Sequence, residues 1–162
     1  MTNERRIKSA NEVYNTIRTL LQEKQWSFTE SQKSNKLVIK CKTYGDDLPI
    51  PFQFYVNTDK CVATLSSPFN FKVPKSILEQ VALIINAINT RLVEGKLCYD
   101  IIEDTISFRS SIYFEDSLIS KNAISNMLYT ALCTIDLYND KLLSMVQEQI
   151  SYDDMLAFIQ AN

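Results

Sequence analysis

An α+β fold, with helices packed on one face of an antiparallel sheet, follows from three features of this 162-residue sequence. Apolar residues recur at steps of three and four over 4–24, 75–94 and 120–148, which is the periodicity of amphipathic helices. Elsewhere apolar and polar residues alternate with period two, as half-buried strands require. These strands fall into two meanders joined by short turns and separated by one very apolar helix, an order that gives antiparallel neighbours rather than parallel crossovers. The length predicts one domain over 1–162. A chain of this size buries roughly 70% of its unfolded surface and needs no disulfide or metal to stay folded.

The first helix carries Ile7, Ala10, Val13, Ile17, Leu20 and Leu21 on one stripe, with Asn3 as its expected N-cap. Trp26 follows and is placed to anchor that helix to the sheet. A short strand is expected at 27–32. Next, Leu37, Ile39 and Cys41 alternate with Val38, Lys40 and Lys42, and a turn at Gly45, Asp46 and Asp47 ends the run. Ile50, Phe52, Phe54 and Val56 alternate with Pro51, Gln53, Tyr55 and Asn57, and Cys61, Ala63 and Leu65 make a further strand. Pro68 and Pro74 punctuate the approach to the central helix, 75–94, whose stripe is Ile77, Val81, Ile84, Ile85, Ile88 and Leu92. Gly95 is placed as its C′ residue. A hairpin follows: 97–102, a turn at Glu103-Asp104, then 106–114. Ser120 caps the long helix, and Ser151-Tyr152-Asp153-Asp154 reads as a capping arrangement for a short last helix.

Composition excludes several chemistries. With 0 His, there is no histidine acid–base catalysis, no histidine-assisted nucleophile and no histidine-ligated metal. With glycine only at Gly45 and Gly95, neither G-x-G-x-x-G nor a Walker A loop exists. Cys41, Cys61, Cys98 and Cys133 contain no C-x-x-C and read as small buried residues in a reducing compartment. A cysteine-only zinc site would need all four to converge from distant elements, so no cofactor and no metal are expected. The stretch Met1 to Gln25 is charged throughout and no apolar run approaches the ~20 residues of a bilayer span, which predicts a cytoplasmic protein without a membrane role.

Net charge is -2, but it is divided: the first 99 residues hold 14 Lys+Arg against 9 Asp+Glu, the rest 3 against 10. Unlike surfaces of this kind suit either self-association or two differently solvated faces. Lys33, Lys36, Lys40 and Lys42 read as a solvated strand face. Nucleic-acid-binding sheets add exposed stacking aromatics, and only Tyr55 is expected on that face, which argues against nucleic acid as a partner. The acid pairs Glu103-Asp104 and Asp153-Asp154 sit where turns and helix starts favour carboxylates. The candidate structural or interaction residues are Asn86, Asn89, Asp100 and Arg109. Two asparagines at i,i+3 on an apolar helix call for hydrogen bonds, to nearby backbone or to a second chain. Arg109, mid-strand between apolar neighbours, calls for an ion pair such as one with Asp100, or for carbonyls.

These residues carry a resemblance. The stretch from Asn86 through Asn89 and Gly95 to Asp100, then Ile106 to Ser111 around Arg109, with Val73-Pro74 before the helix, resembles the YbjN family, bacterial proteins described as sensory transduction regulators. The resemblance implies a type III secretion chaperone-like fold, a binding or regulatory role and no established catalytic residues. Absence of catalytic constellations and this resemblance together point to a non-catalytic module that binds an extended peptide or a helix of a protein partner; a regulator that binds a small molecule or nucleic acid is the alternative. A homodimer is expected, because Leu83, Leu137, Leu143 and Phe158 fall off the main helical stripes, because the charges are divided, and because secretion-chaperone-like folds are commonly dimeric.

Overall fold

A computed structural model describes residues 2–45, 48–115 and 117–162. Its elements are α1 (Asn3–Glu23), β1 (Phe28–Lys33), β2 (Lys36–Tyr44), β3 (Pro49–Asn57), β4 (Val62–Lys72), a single 3₁₀ turn (Lys75–Ile77), α2 (Leu78–Asn89), β5 (Lys96–Asp100), β6 (Thr105–Tyr113), α3 (Lys121–Val146) and α4 (Tyr152–Ala161). The six strands form one antiparallel sheet in the order β1-β2-β3-β4-β6-β5. This is the α+β architecture that the alternating periods predict. Asp46 and Asp47, at the expected turn, lie outside the described residues.

Period two decides which strand face is buried. Ile50, Phe52, Phe54 and Val56 on β3, Ala63 and Leu65 on β4, and Ile106 and Phe108 on β6 point into one core. There α1 packs against β3, α3 against β4 and β6, and α2 against β5, while α4 closes over α2 and α3. Each fully buried Phe or Ile contributes about 1.5–3 kcal/mol of apolar transfer. Trp26 stacks on Phe52 with ring centroids 6.3 Å apart, tying the end of α1 to the sheet as expected.

Several boundaries differ from the sequence reading, each for a local reason. Thr2, not Asn3, is the N-cap of α1; its hydroxyl accepts the Arg5 N–H. β4 does not stop before Pro68 but runs on to Lys72, with the register shifting between Pro68 and Lys72. An irregularity is where a strand tolerates a residue with no N–H. The central helix is shorter than 75–94: a 3₁₀ turn precedes it and it ends at Asn89, with Thr90 as C-cap. Gly95 is therefore not its C′ residue. It immediately precedes β5 instead, at φ +75°, and lies so close to the Phe108 ring that a Cβ would sit 2.2 Å from Cζ. Ile101 and Ile102 belong to the turn rather than to the strand, because the Asp100 carboxylate accepts the N–H groups of Ile102 (3.0 Å) and Glu103 (3.2 Å) and Asp104 takes a left-handed conformation. The long helix runs Lys121–Val146 behind its Ser120 cap, within the 120–148 expected. The capping box of α4 forms, Ser151 with Asp154. The cysteines are not uniformly buried: Cys41 and Cys61 are, Cys98 is half-buried and Cys133 is exposed.

Candidate functional site: the open face of the sheet

The helices cover one face of the sheet and leave the other open. On that face, side chains from all six strands fall into rows. One row runs Thr29–Lys40–Gln53–Ser66–Arg109–Lys96, crossing every strand. Beside it lies Ser31–Val38–Tyr55–Thr64–Ser111, and beyond that Lys33–Lys36–Asn57–Val62–Tyr113. Not one carboxylate interrupts these rows. Asp100, at the far corner, is the strand carboxylate on this side, and the turn at Ile102 and Glu103 already occupies it.

Val38 shows how the face is dressed. It is only 4% exposed, yet it belongs to the open side rather than to the main core. Its cross-strand neighbours are Ser31 and Tyr55. A shallow cleft of 370 Å³ opens beside it, lined by Lys36, Tyr55, Lys60, Thr64, Ser66 and Arg109 together with Asn57 and Val62. Its neutral groups are held in place internally. The Tyr55 hydroxyl donates to Gln53 Oε1, Asn57 Oδ1 accepts the Lys60 N–H at 2.9 Å, and the Thr64 and Ser111 hydroxyls share a bond of 2.9 Å. Its cations are not: Lys36, Lys60 and Arg109 form no ion pair among the described residues.

The sequence-selected residues separate into distinct roles. Asn89 is an edge residue of structural function. Its side chain accepts the Leu97 N–H at 2.8 Å and donates to the Leu97 carbonyl at 3.0 Å, so it takes both hydrogen-bonding groups of one residue on the edge strand β5. Asn86, one turn earlier, is exposed, and its side chain makes no such bond. Asp100 and Arg109 are not an ion pair. Register sets Asp100 against Thr105 and Arg109 between Ser66 and Lys96. The Asp100 carboxyl is held below the ordinary carboxylate range mainly by the N–H groups of Ile102 and Glu103, with Arg109 a minor contributor. Arg109 is exposed, because β6 places it on the open side with Ser107 and Ser111.

The sequence reading missed two aromatics on this face. Tyr44 and Tyr113, 76% and 75% exposed, share it with Tyr55. Their strand parity was the available signal. They stand at opposite margins, however. From Tyr44 to the row of Tyr55 is six residues along β2, or about 20 Å.

Other ionisable groups answer to structure rather than chemistry. Burial pushes the Cys41 thiol up to about 12, which keeps it protonated. Burial and the hydrogen bond to Glu30 (2.8 Å) push Tyr14 up to about 12 as well. Among the described residues no three Cys, Asp or Glu side chains gather where a metal could be held.

The family model described as "YbjN: Putative bacterial sensory transduction regulator" matches residues 14–144. The chain belongs to the YbjN family. The match spans the whole sheet, the open-face rows and most of α3. No curated protein matches. Among solved structures, the chain is similar to one titled "Crystal structure of YbjN, a putative transcription regulator from E. coli", with a TM-score of 0.51 and 15% identity over 82% of this chain and 87% of that one. At that identity the likeness establishes the YbjN fold, an antiparallel sheet with its helices, and leaves the ligand to this chain's own surface. The family description is that of regulators rather than of an enzyme family. Among the described residues, no helix is long and apolar enough to cross a membrane.

Proposed function

We propose that this YbjN-family chain is a non-catalytic cytoplasmic regulatory module that works by binding a segment of a protein partner on the open face of its sheet. One observation carries this reading: four helices crowd one face, while the opposite face of six strands stays uncovered and presents a cleft walled by rigid strands. Sites on rigid strands hold a partner with little ordering cost. The fixed hydroxyls and amides supply hydrogen bonds to an extended chain, and no nucleophile–base pair lines the cleft. The secretion-chaperone resemblance supports the same role, since such folds serve as platforms for other chains.

Co-purification tests it. A stoichiometric protein partner that is retained by the native chain and lost on substitution of Tyr55, Thr64 or Arg109 supports the proposal; retention unaffected by all three overturns it. We also infer that two copies associate through the exposed apolar side chains Leu83, Tyr129 and Leu137 on the helical side, which leaves both open faces free. Light scattering at micromolar concentration should give a mass near twice 18.7 kDa, and a mass near 18.7 kDa contradicts it.

A further inference from the structure

Among the described residues, the cations of the open face form no ion pair. Arg109 lies directly across from Lys96, and Lys33 across from Lys36. Like charges directly opposite in a sheet are destabilising. Lys40 lies in the Arg109 row, Lys42 two residues further along β2, and Lys60 adds a further cation from the β3–β4 turn. Among the described residues, carboxylates near the margins have partners of their own. Asp59 takes a bond from the Asn35 side chain, Asp100 folds over its turn, and Glu30 faces α1, where it meets Tyr14 and Arg18. A surface that retains repulsion of this kind is suited to a ligand that brings the opposite charge.

We propose that the partner segment held on this face is an extended acidic peptide, its carboxylates seated at the two cationic ends of the cleft, Lys36 with Lys60 and Arg109 with Lys96. This identification of the partner's chemistry rests on the proposed function above. The spacing fits. Lys36 and Arg109 stand three strands apart and four residues apart along the strand direction, about 20 Å between backbones. An extended peptide covers that distance in about six residues, with every second side chain facing the sheet. The middle of the cleft, Tyr55, Thr64 and Ser66, is neutral and rich in hydroxyls, as suits backbone amides crossing between two carboxylates. Arg109 offers a planar fork that matches a carboxylate bidentately.

Single-stranded nucleic acid fits less well. Successive bases need a run of ring faces. Tyr44 and Tyr113 are at separate margins, and Tyr55 is half-buried with its hydroxyl tied to Gln53.

The probe is a fluorescein-labelled twelve-residue peptide of alternating Glu and Thr, titrated with the full chain by fluorescence anisotropy at low salt. Saturable binding is expected, weakened on raising salt to several times the physiological concentration, because the contacts lie at the surface. The double variant Lys36→Gln with Arg109→Gln should bind about tenfold more weakly, and Lys75→Gln, away from this face, should bind as the native chain does. Lys96→Gln should raise the urea midpoint of the free protein, as relief of repulsion requires, while weakening the peptide. Lys40→Gln serves as a substitute where the double variant fails to fold. A labelled dT12 oligonucleotide that binds more tightly than the peptide overturns the proposal in favour of nucleic acid. So does peptide binding indifferent to the Lys36, Lys40 and Arg109 substitutions, or the lack of any binding at low salt. If a co-purified protein partner resists high salt yet is lost on altering Tyr55, the acidic chemistry is wrong while the proposed function stands.

Discussion

Replacing Asn89 with Ala isolates a single side chain that substitutes for a missing strand. In the native fold its amide group satisfies the N–H and the carbonyl of Leu97, at 2.8 and 3.0 Å. Each net hydrogen bond is worth about 1 kcal/mol, and a shielded group left without a partner costs about 1–3 kcal/mol. Leu97 itself is 2% exposed, and Asn89 is half-buried, so water reaches the abandoned groups only in part. Two bonds therefore give a loss of about 2–3 kcal/mol. Ala is the better helix former by about 0.6 kcal/mol, which offsets a fraction of this at the last residue of α2. The expected net cost is about 2 kcal/mol, or a fall in Tm of about 4–8 °C for a chain of this length. Urea unfolding measures the cost, and amide exchange at Leu97 locates it, because that N–H should lose its protection. Asn89→Asp keeps the acceptor but sets a carboxylate against the Leu97 carbonyl, and should cost at least as much. Asn86→Ala, on the same helix but exposed, should be neutral or slightly stabilising. If Asn89→Ala falls within about 0.5 kcal/mol of the native chain, or matches Asn86→Ala, the edge-capping role is refuted.

Three other outcomes are expected. Gly95→Ala should destabilise by about 2 kcal/mol or more in urea, since Ala is strained at φ +75° and its Cβ meets the Phe108 ring; an effect under about 0.5 kcal/mol would contradict this. Ser151→Ala removes the α4 capping box and should cost about 1 kcal/mol, with exchange rising first in α4. Stability should be flat at neutral pH and decline as pH rises from about 9 to about 12: Cys41 and Tyr14 are held protonated in the fold, so the unfolded chain ionises first and gains the difference. The double variant Cys41→Ala with Tyr14→Phe should flatten that decline, and an unchanged alkaline profile would count against both assignments.

Element order was legible because each element announces its own period. The run of α1, the alternation of β3 and the capping sequence of α4 need only neighbours in the chain. What escaped depends on contacts far apart in sequence. The strand through Pro68 is invisible locally, since a proline reads as a break until its partner Ser107 and the register shift are known. The end of α2 at Asn89 is set by Leu97, eight residues on, which draws the asparagine side chain to the sheet. Arg109 was legible as a residue that needed explanation, and its alternation with Ser107 and Ser111 already pointed outward. Its neighbours could not be read. β6 pairs with β4 across a helix and a strand, and only that pairing lines Arg109 up with Lys40 in one row.

The contact between Asn89 and Leu97 also makes the two ends of the sheet unequal. At one end, β1 offers Phe28–Lys33 with a free row of backbone groups. At the other, a side chain occupies the donor and the acceptor that a seventh strand would need first. Polymers grow from units with two reactive ends. With one end closed, the sheets of successive copies cannot add edge to edge without limit. Asn89 acts in this respect as a stop, closing the β5 end to strand addition in a protein whose sheet is bare on one face.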